Sequence, residues 1–179
     1  MKNLKDIIQE RLHITKDTGN NSYNYHPKTK DELKELVNKL IEERGDNADL
    51  NDIDTSDITN MYELFFDSNF TGDISNWDVS KVENMSYMFH SSKFDGDISD
   101  WNVSNVKSMR GMFYGSHFNG DISNWNVNKV EDMLSMFCSS EFTSENGDIS
   151  KWNVSNVKNM KYMFENSPLE KNPPKWYKN

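Results

Sequence analysis

GDISDWNVSNVKSMRGMF, residues Gly96 to Phe113, is the stretch whose reading decides the fold. Nearly the same phrase stands at Gly72–Phe89, Gly120–Phe137 and Gly147–Phe164. Its tryptophans, Trp77, Trp101, Trp125 and Trp152, are followed by Trp176, at spacings of 24, 24, 27 and 24 residues. A fixed period of this length signals stacked supersecondary units rather than one closed core.

The rest of the composition follows from that period. The chain has 179 residues, of which 35% are hydrophobic, and its mean hydropathy is -0.88. Such polarity accompanies disorder when the apolar residues are scattered. Here they are not. Every methionine but Met1 falls on two repeat columns, and nine of the ten phenylalanines fall on two more. Phe65, Phe89, Phe113, Phe137 and Phe164 form one phenylalanine column; Phe70, Phe94, Phe118 and Phe142 form the other. Periodic large side chains in a polar chain predict a narrow, continuous core inside a polar shell.

Within a repeat, W-x-V has period two and reads as a short strand. Met85, Met88 and Phe89 step by three and four, as one helical turn does. Gly72, Gly96, Gly120 and Gly147 read as tight turns into the next strand. The expected fold is an α/β solenoid: a right-handed array of parallel strands and short helices with an N-terminal helical cap. The cap spans 1–49 and the solenoid 50–179. The solenoid divides into a degenerate first repeat at 50–71, full repeats at 72–95, 96–119, 120–146 and 147–170, and a C-terminal cap at 171–179. In the cap, Leu4, Ile7, Ile8 and Leu12 have helical spacing. A second helix over 29–44 opens on the capping box Thr29–Glu32 and ends at Gly45. Pro173 and Pro174 cannot donate to a ladder, so the sheet is expected to stop there.

Charge limits the partners. The net charge is -9, and an acidic surface repels phosphate backbones and anionic bilayers. Nucleic acid and membranes are therefore not expected ligands. Cys138 is the only cysteine, so no intramolecular disulfide forms. The first residues, MKNLKDIIQERLHITKD, hold no apolar signal core, and a cytoplasmic location is expected.

The wording of the repeat resembles that of the BspA-like leucine-rich-repeat proteins of bacteria, with Ile74-x-x-Trp77-x-Val79 in the L-x-x-L-x-L slots. The resemblance covers about residues 50–176. It implies a leucine-rich-repeat fold, a bacterial or phage source, and a role in binding other proteins. For the secreted members it implies adhesion to host proteins, which is the alternative reading here.

No catalytic motif, cofactor site or metal-ligand spacing stands out. Asp73, Asp97, Asp121 and Asp148 recur after each glycine. They read as caps on turn N–H groups rather than calcium ligands, since one carboxylate per repeat falls short of six to eight oxygens. The tryptophans read as core. The candidate partner-binding strip flanks them on the expected concave face: Asn76, Asp78, Asp100, Asn102, Asn124, Asn126, Lys151 and Asn153. Its alternative role is a hydrogen-bonded side-chain ladder. Positions that break the repeat are further clues: Phe66, His90, Tyr114, Cys138 and Glu165 in one column, Arg110, His117, and the insertion around Thr143–Glu145. The expected function is a non-enzymatic protein-interaction module, monomeric by default, with a dimer through one end as the other possibility.

Overall fold

The computed structural model describes residues 23–178. The expected helix over 1–12 lies outside them. One α-helix is present among the described residues: α1, Lys30–Arg44. The Thr29 hydroxyl accepts the Glu32 N–H at 3.2 Å, and the Glu32 carboxylate accepts the Lys28 N–H at 2.7 Å. Gly45 leaves the helix at φ +92° while its N–H bonds the Ile41 carbonyl at 2.8 Å. Leu33, Leu36, Val37 and Leu40 face inward and are buried, each contributing about 1.5–3 kcal/mol.

Beyond α1 the expected α/β solenoid does not form. The described residues contain no strand of a sheet, and the one other helical element is a single 3₁₀ turn, Ile149–Lys151. What stacks is a set of loop-built coils, one per repeat. Adjacent coils touch through single parallel bridges: Asn60 to Asn84, Asn84 to Ser108, Ser108 to Asp132, and Asp132 to Asn159. A bridge of one residue is too short to be a strand.

The physical reason lies in where the backbone N–H groups go. At the expected W-x-V strand they close turns within the coil. Trp101 N–H bonds the Ile98 carbonyl at 3.2 Å, and Val106 N–H bonds Val103 at 2.9 Å. Side chains close the turns between, each accepting the N–H two residues on. Asp97 accepts from Ser99, Asn102 from Ser104, and Ser116 from Phe118. These are Asx and Ser/Thr turns, which compete with regular secondary structure for the same donors.

The expected helical turn at Met-x-x-Met-Phe is replaced in a related way. Met112 N–H bonds back three residues to Met109 at 3.2 Å, but the alternate donors leave the coil. Met109, Gly111, Phe113 and Gly115 donate to Asp132, Leu134, Met136 and Cys138 of the next coil at 2.8–2.9 Å. The same four-bond pattern joins each pair of coils from residue 61 to residue 165. It requires left-handed residues at two columns: Glu63, Tyr87, Gly111, Ser135 and Tyr162, then Asp67, Ser91, Gly115, Ser139 and Asn166. A left-handed residue ends a helical turn, so a three-and-four spacing here marks turns and not a helix.

The repeat glycines also differ from expectation. Gly72, Gly96 and Gly120 do not adopt positive φ. A side chain there would strike the phenylalanine two residues back; a Cβ on Gly96 would lie 2.7 Å from the Phe94 ring. Gly147, after the insertion, is instead pressed against Asp121.

The core is continuous from α1 to Trp176. Phe89, Phe113 and Phe137 stack at 5.6–5.7 Å, and Phe94, Phe118 and Phe142 at 6.4 Å. The tryptophans are inside, as expected. Each indole N–H crosses to a carbonyl of the preceding coil: Trp77 to Leu50, Trp101 to Ile74, Trp125 to Ile98, Trp152 to Ile122 and Trp176 to Ile149, at 2.9–3.3 Å. At the first coil, α1 closes the stack, and Lys34 Nζ donates to the Glu63 and Leu64 carbonyls at 3.0 and 2.5 Å.

Candidate binding surfaces

All eight residues of the expected strip are exposed: Asn76, Asp78, Asp100, Asn102, Asn124, Asn126, Lys151 and Asn153. Seven lie on loop backbone and Lys151 ends the 3₁₀ turn, so there is no concave sheet beneath them. They divide into two kinds. Asp78, Asn102, Asn126 and Asn153 each accept the N–H two residues on, at 2.9–3.2 Å. Their side-chain oxygens are spent on turns. Among the described residues, no hydrogen bond holds the side chains of Asn76, Asp100, Asn124 or Lys151. A ladder between neighbouring asparagines does not occur in this strip.

The recurrent aspartates cap turns, as their position suggests. Asp73, Asp97, Asp121 and Asp148 accept the N–H of Ser75, Ser99, Ser123 and Ser150 at 2.8–3.0 Å. Those serine N–H groups hold the carboxyls of Asp73, Asp97 and Asp148 below the ordinary range. No group of three or more His, Cys, Asp or Glu is placed to hold a metal ion among the described residues. The insertion is tied down rather than projecting. Thr143 N–H and Oγ1 both donate to Asn119 Oδ1, at 2.8 and 3.1 Å, and Asn146 Nδ2 donates to the Asn119 carbonyl at 2.6 Å.

The column that breaks the repeat has a definite geometry. Phe66, His90 and Tyr114 stack on the outside of the coils. The ring centroids are 4.6 Å apart at both steps, with interplanar angles of 17° and 5°. Phe66 is 43% exposed, unlike the buried phenylalanine next to it. Burial between its neighbours pushes His90 below its ordinary pKa, against the pull of Asp67 and Glu63. Further along the column, Cys138 is buried, and burial, with Glu165 beside it, pushes its thiol up. An activated nucleophile needs the opposite shift.

Two side chains absent from the sequence reading complete this surface. Tyr62 and Tyr87 pack edge to face at 5.9 Å, Lys30 Nζ sits 5.3 Å above the Tyr62 ring, and Arg110 Nε donates to the Tyr87 hydroxyl at 3.0 Å. Tyr87 lies over Gly111, where a Cβ would come within 2.6 Å of its ring. The signal was there in the sequence: tyrosine in one repeat and glycine at the same column of the next. The ridge thus joins Tyr62, Phe66, Tyr87, His90, Arg110 and Tyr114 in one patch, with Phe66 exposed and the other five half-buried.

No helix of the described residues is long and apolar enough to cross a membrane. No curated protein and no solved structure matches this chain. One family does, over residues 32–146 and again over 116–178, two matches that overlap as a repeated unit allows. The chain therefore belongs to the family described as "Mycoplasma protein of unknown function, DUF285".

Proposed function

We propose that this chain is a non-enzymatic protein-binding module whose partner docks on the aromatic ridge. The observation that carries this reading is the outer stack of Phe66, His90 and Tyr114 beside Tyr87 and Arg110. Tyrosine, phenylalanine and arginine are the residues enriched where proteins bind proteins. The ring faces within the stack cover one another, so edges, the Tyr hydroxyls and the guanidinium are what a partner meets. That arrangement suits a protein surface better than a sugar, which needs a free ring face. In the strip, Asp78, Asn102, Asn126 and Asn153 have already spent an oxygen on a turn.

The test compares two double substitutions in affinity capture from a native lysate, each checked for folding by thermal melt. Phe66→Ser with Tyr114→Ser removes the ridge; Asp78→Lys with Asp100→Lys alters the strip. Partners retained by the strip variant and lost by the ridge variant support the reading. Loss with the strip variant alone would transfer the site to the strip. No partner for the wild type would remove the reading altogether.

A further inference from the structure

The end of the stack opposite α1 differs from every internal interface. Among the described residues, the Met160 N–H meets no acceptor and the Lys158 carbonyl meets no donor. In each inner coil these two groups bracket the bridge residue and are both paired. Met109 N–H donates to Asp132 at 2.9 Å, and the Lys107 carbonyl accepts from Glu131 at 2.8 Å. The side chains tell the same story. Val127, Val130 and Met133 are 0–1% exposed, whereas their counterparts Val154, Val157 and Met160 are only partly buried. The segment after the last coil covers one side of this end. Trp176 reaches the Ile149 carbonyl at 3.0 Å, and Tyr177 packs on Phe164 at 5.1 Å. The Val154–Met160 side stays open.

Charge is the second observation. Residues 147–179 hold six lysines and three carboxylates, a net +3. The other 146 residues hold 14 basic and 26 acidic side chains, a net -12. A basic end on an acidic molecule favours an acidic occupant and disfavours two such ends facing each other. At the first coil of a second copy, Lys34 already occupies the Leu64 carbonyl and α1 packs over the core, so that coil does not offer a free edge along its length.

From the unpaired edge, the uncovered valines and the local charge, we propose that the Val154–Met160 edge binds an acidic extended peptide of another protein. The peptide adds as one more coil arc, in parallel register. It donates to the Lys158 carbonyl, accepts from the Met160 N–H, and lays an apolar residue on Val157. Its carboxylates face Lys151 and Lys161. Adding backbone to an open edge is an established mode of peptide recognition. This surface is independent of the aromatic ridge, and neither proposal needs the other.

A probe is at hand in the chain's own first coil. The peptide DTSDITNMYEL, residues 54–64, has three carboxylates and no basic residue. It carries the side chains of this arc in a freely added form. Fluorescence anisotropy of the labelled peptide with the full chain should saturate in the micromolar range. Affinity should fall at least tenfold when the three carboxylates are made amides. It should fall equally when the peptide's Thr59 nitrogen is methylated, which deletes the donor to Lys158 without altering the protein. Lys151→Glu with Lys161→Glu should weaken binding as much, while Phe66→Ser with Tyr114→Ser should not change it. No saturation up to 1 mM overturns the proposal, as does a methylated peptide that binds equally well. A dimer of the chain alone in sedimentation, lost on Val157→Glu, also overturns it, since a second copy then fills the edge.

Discussion

Trp125 shows how one residue does two jobs in this fold. Its ring fills the core at 4% exposure, and its indole N–H closes the gap to the Ile98 carbonyl at 3.1 Å. Replacing it by Phe keeps most of the ring but removes one of the two donors to that carbonyl, leaving the Trp101 N–H alone. We expect Trp125→Phe to cost about 2–4 kcal/mol in urea unfolding, the sum of a lost buried hydrogen bond and a small cavity. Gly111 and Gly115 separate two other effects. Both sit in the left-handed region, at φ +56° and +59°. A Cβ at Gly115 would meet Ser91 Oγ at 3.6 Å, an ordinary van der Waals contact, whereas one at Gly111 would strike Tyr87. Gly115→Ala should therefore cost about 1–2 kcal/mol, the backbone penalty alone, and Gly111→Ala clearly more. The inward tryptophans and phenylalanines could be read from the sequence because their columns never vary. The tryptophan N–H partners could not, because a carbonyl acceptor leaves no trace in residue type. Of the ridge, Phe66, His90, Tyr114 and Arg110 were legible as breaks in the repeat. Tyr87 left a trace in the glycine that follows it in the same column, Gly111, whereas its contact with Tyr62 left none, since the two tyrosines lie in different columns and meet only across the coils.

At the scale of the element, the unit is a turn closed by its own side chain. Asp97–Ser99, Asn102–Ser104 and Ser116–Phe118 are three such turns in one coil. This accounts for a polar composition in an ordered chain: the Asp, Asn and Ser residues satisfy backbone that a sheet would otherwise pair. It also accounts for the misreading of strand and helix. Burial alternates at Trp101 and Val103 as in a strand, and recurs at Met109, Met112 and Phe113 as in a helix. Turns produce both patterns, and periodicity alone cannot tell them from regular elements. The charged caps give a pH dependence. Asp73, Asp97 and Asp148 have carboxyls held below their unfolded value of about 3.9 by serine N–H groups. Their contribution is complete above that value and is lost as pH falls through the lower folded values. Urea midpoints should drop between pH 5 and pH 2.5. Asp97→Asn, which keeps the accepting oxygen but does not titrate, should make that drop shallower. An unchanged slope would show that the Asp97 cap does not report on folding.

For the whole molecule, the stack is joined coil to coil, and α1 stands at one end of the same core. Such an array draws its stability from each neighbouring interface, so damage at the cap should spread inward. Leu36 is fully buried between α1 and the first coil. Leu36→Ala should cost about 2–5 kcal/mol and raise hydrogen exchange first at Met61, Glu63, Phe65 and Asp67, the donors of the first interface. Exchange that rises equally at Phe137 and Ser139 would instead mark one indivisible cooperative unit.

The central claim is that alternate N–H groups of each coil leave it for the next, where a helix or a strand was expected. Scalar couplings across hydrogen bonds, measured by NMR on isotope-labelled protein, test this directly. The account predicts couplings from the nitrogens of Met109, Gly111, Phe113 and Gly115 to the carbonyl carbons of Asp132, Leu134, Met136 and Cys138. A coupling from Phe113 nitrogen to the Met109 carbonyl would mean a helical turn. Couplings between the segments 101–103 and 125–127 would mean a strand ladder. Either result would contradict the account.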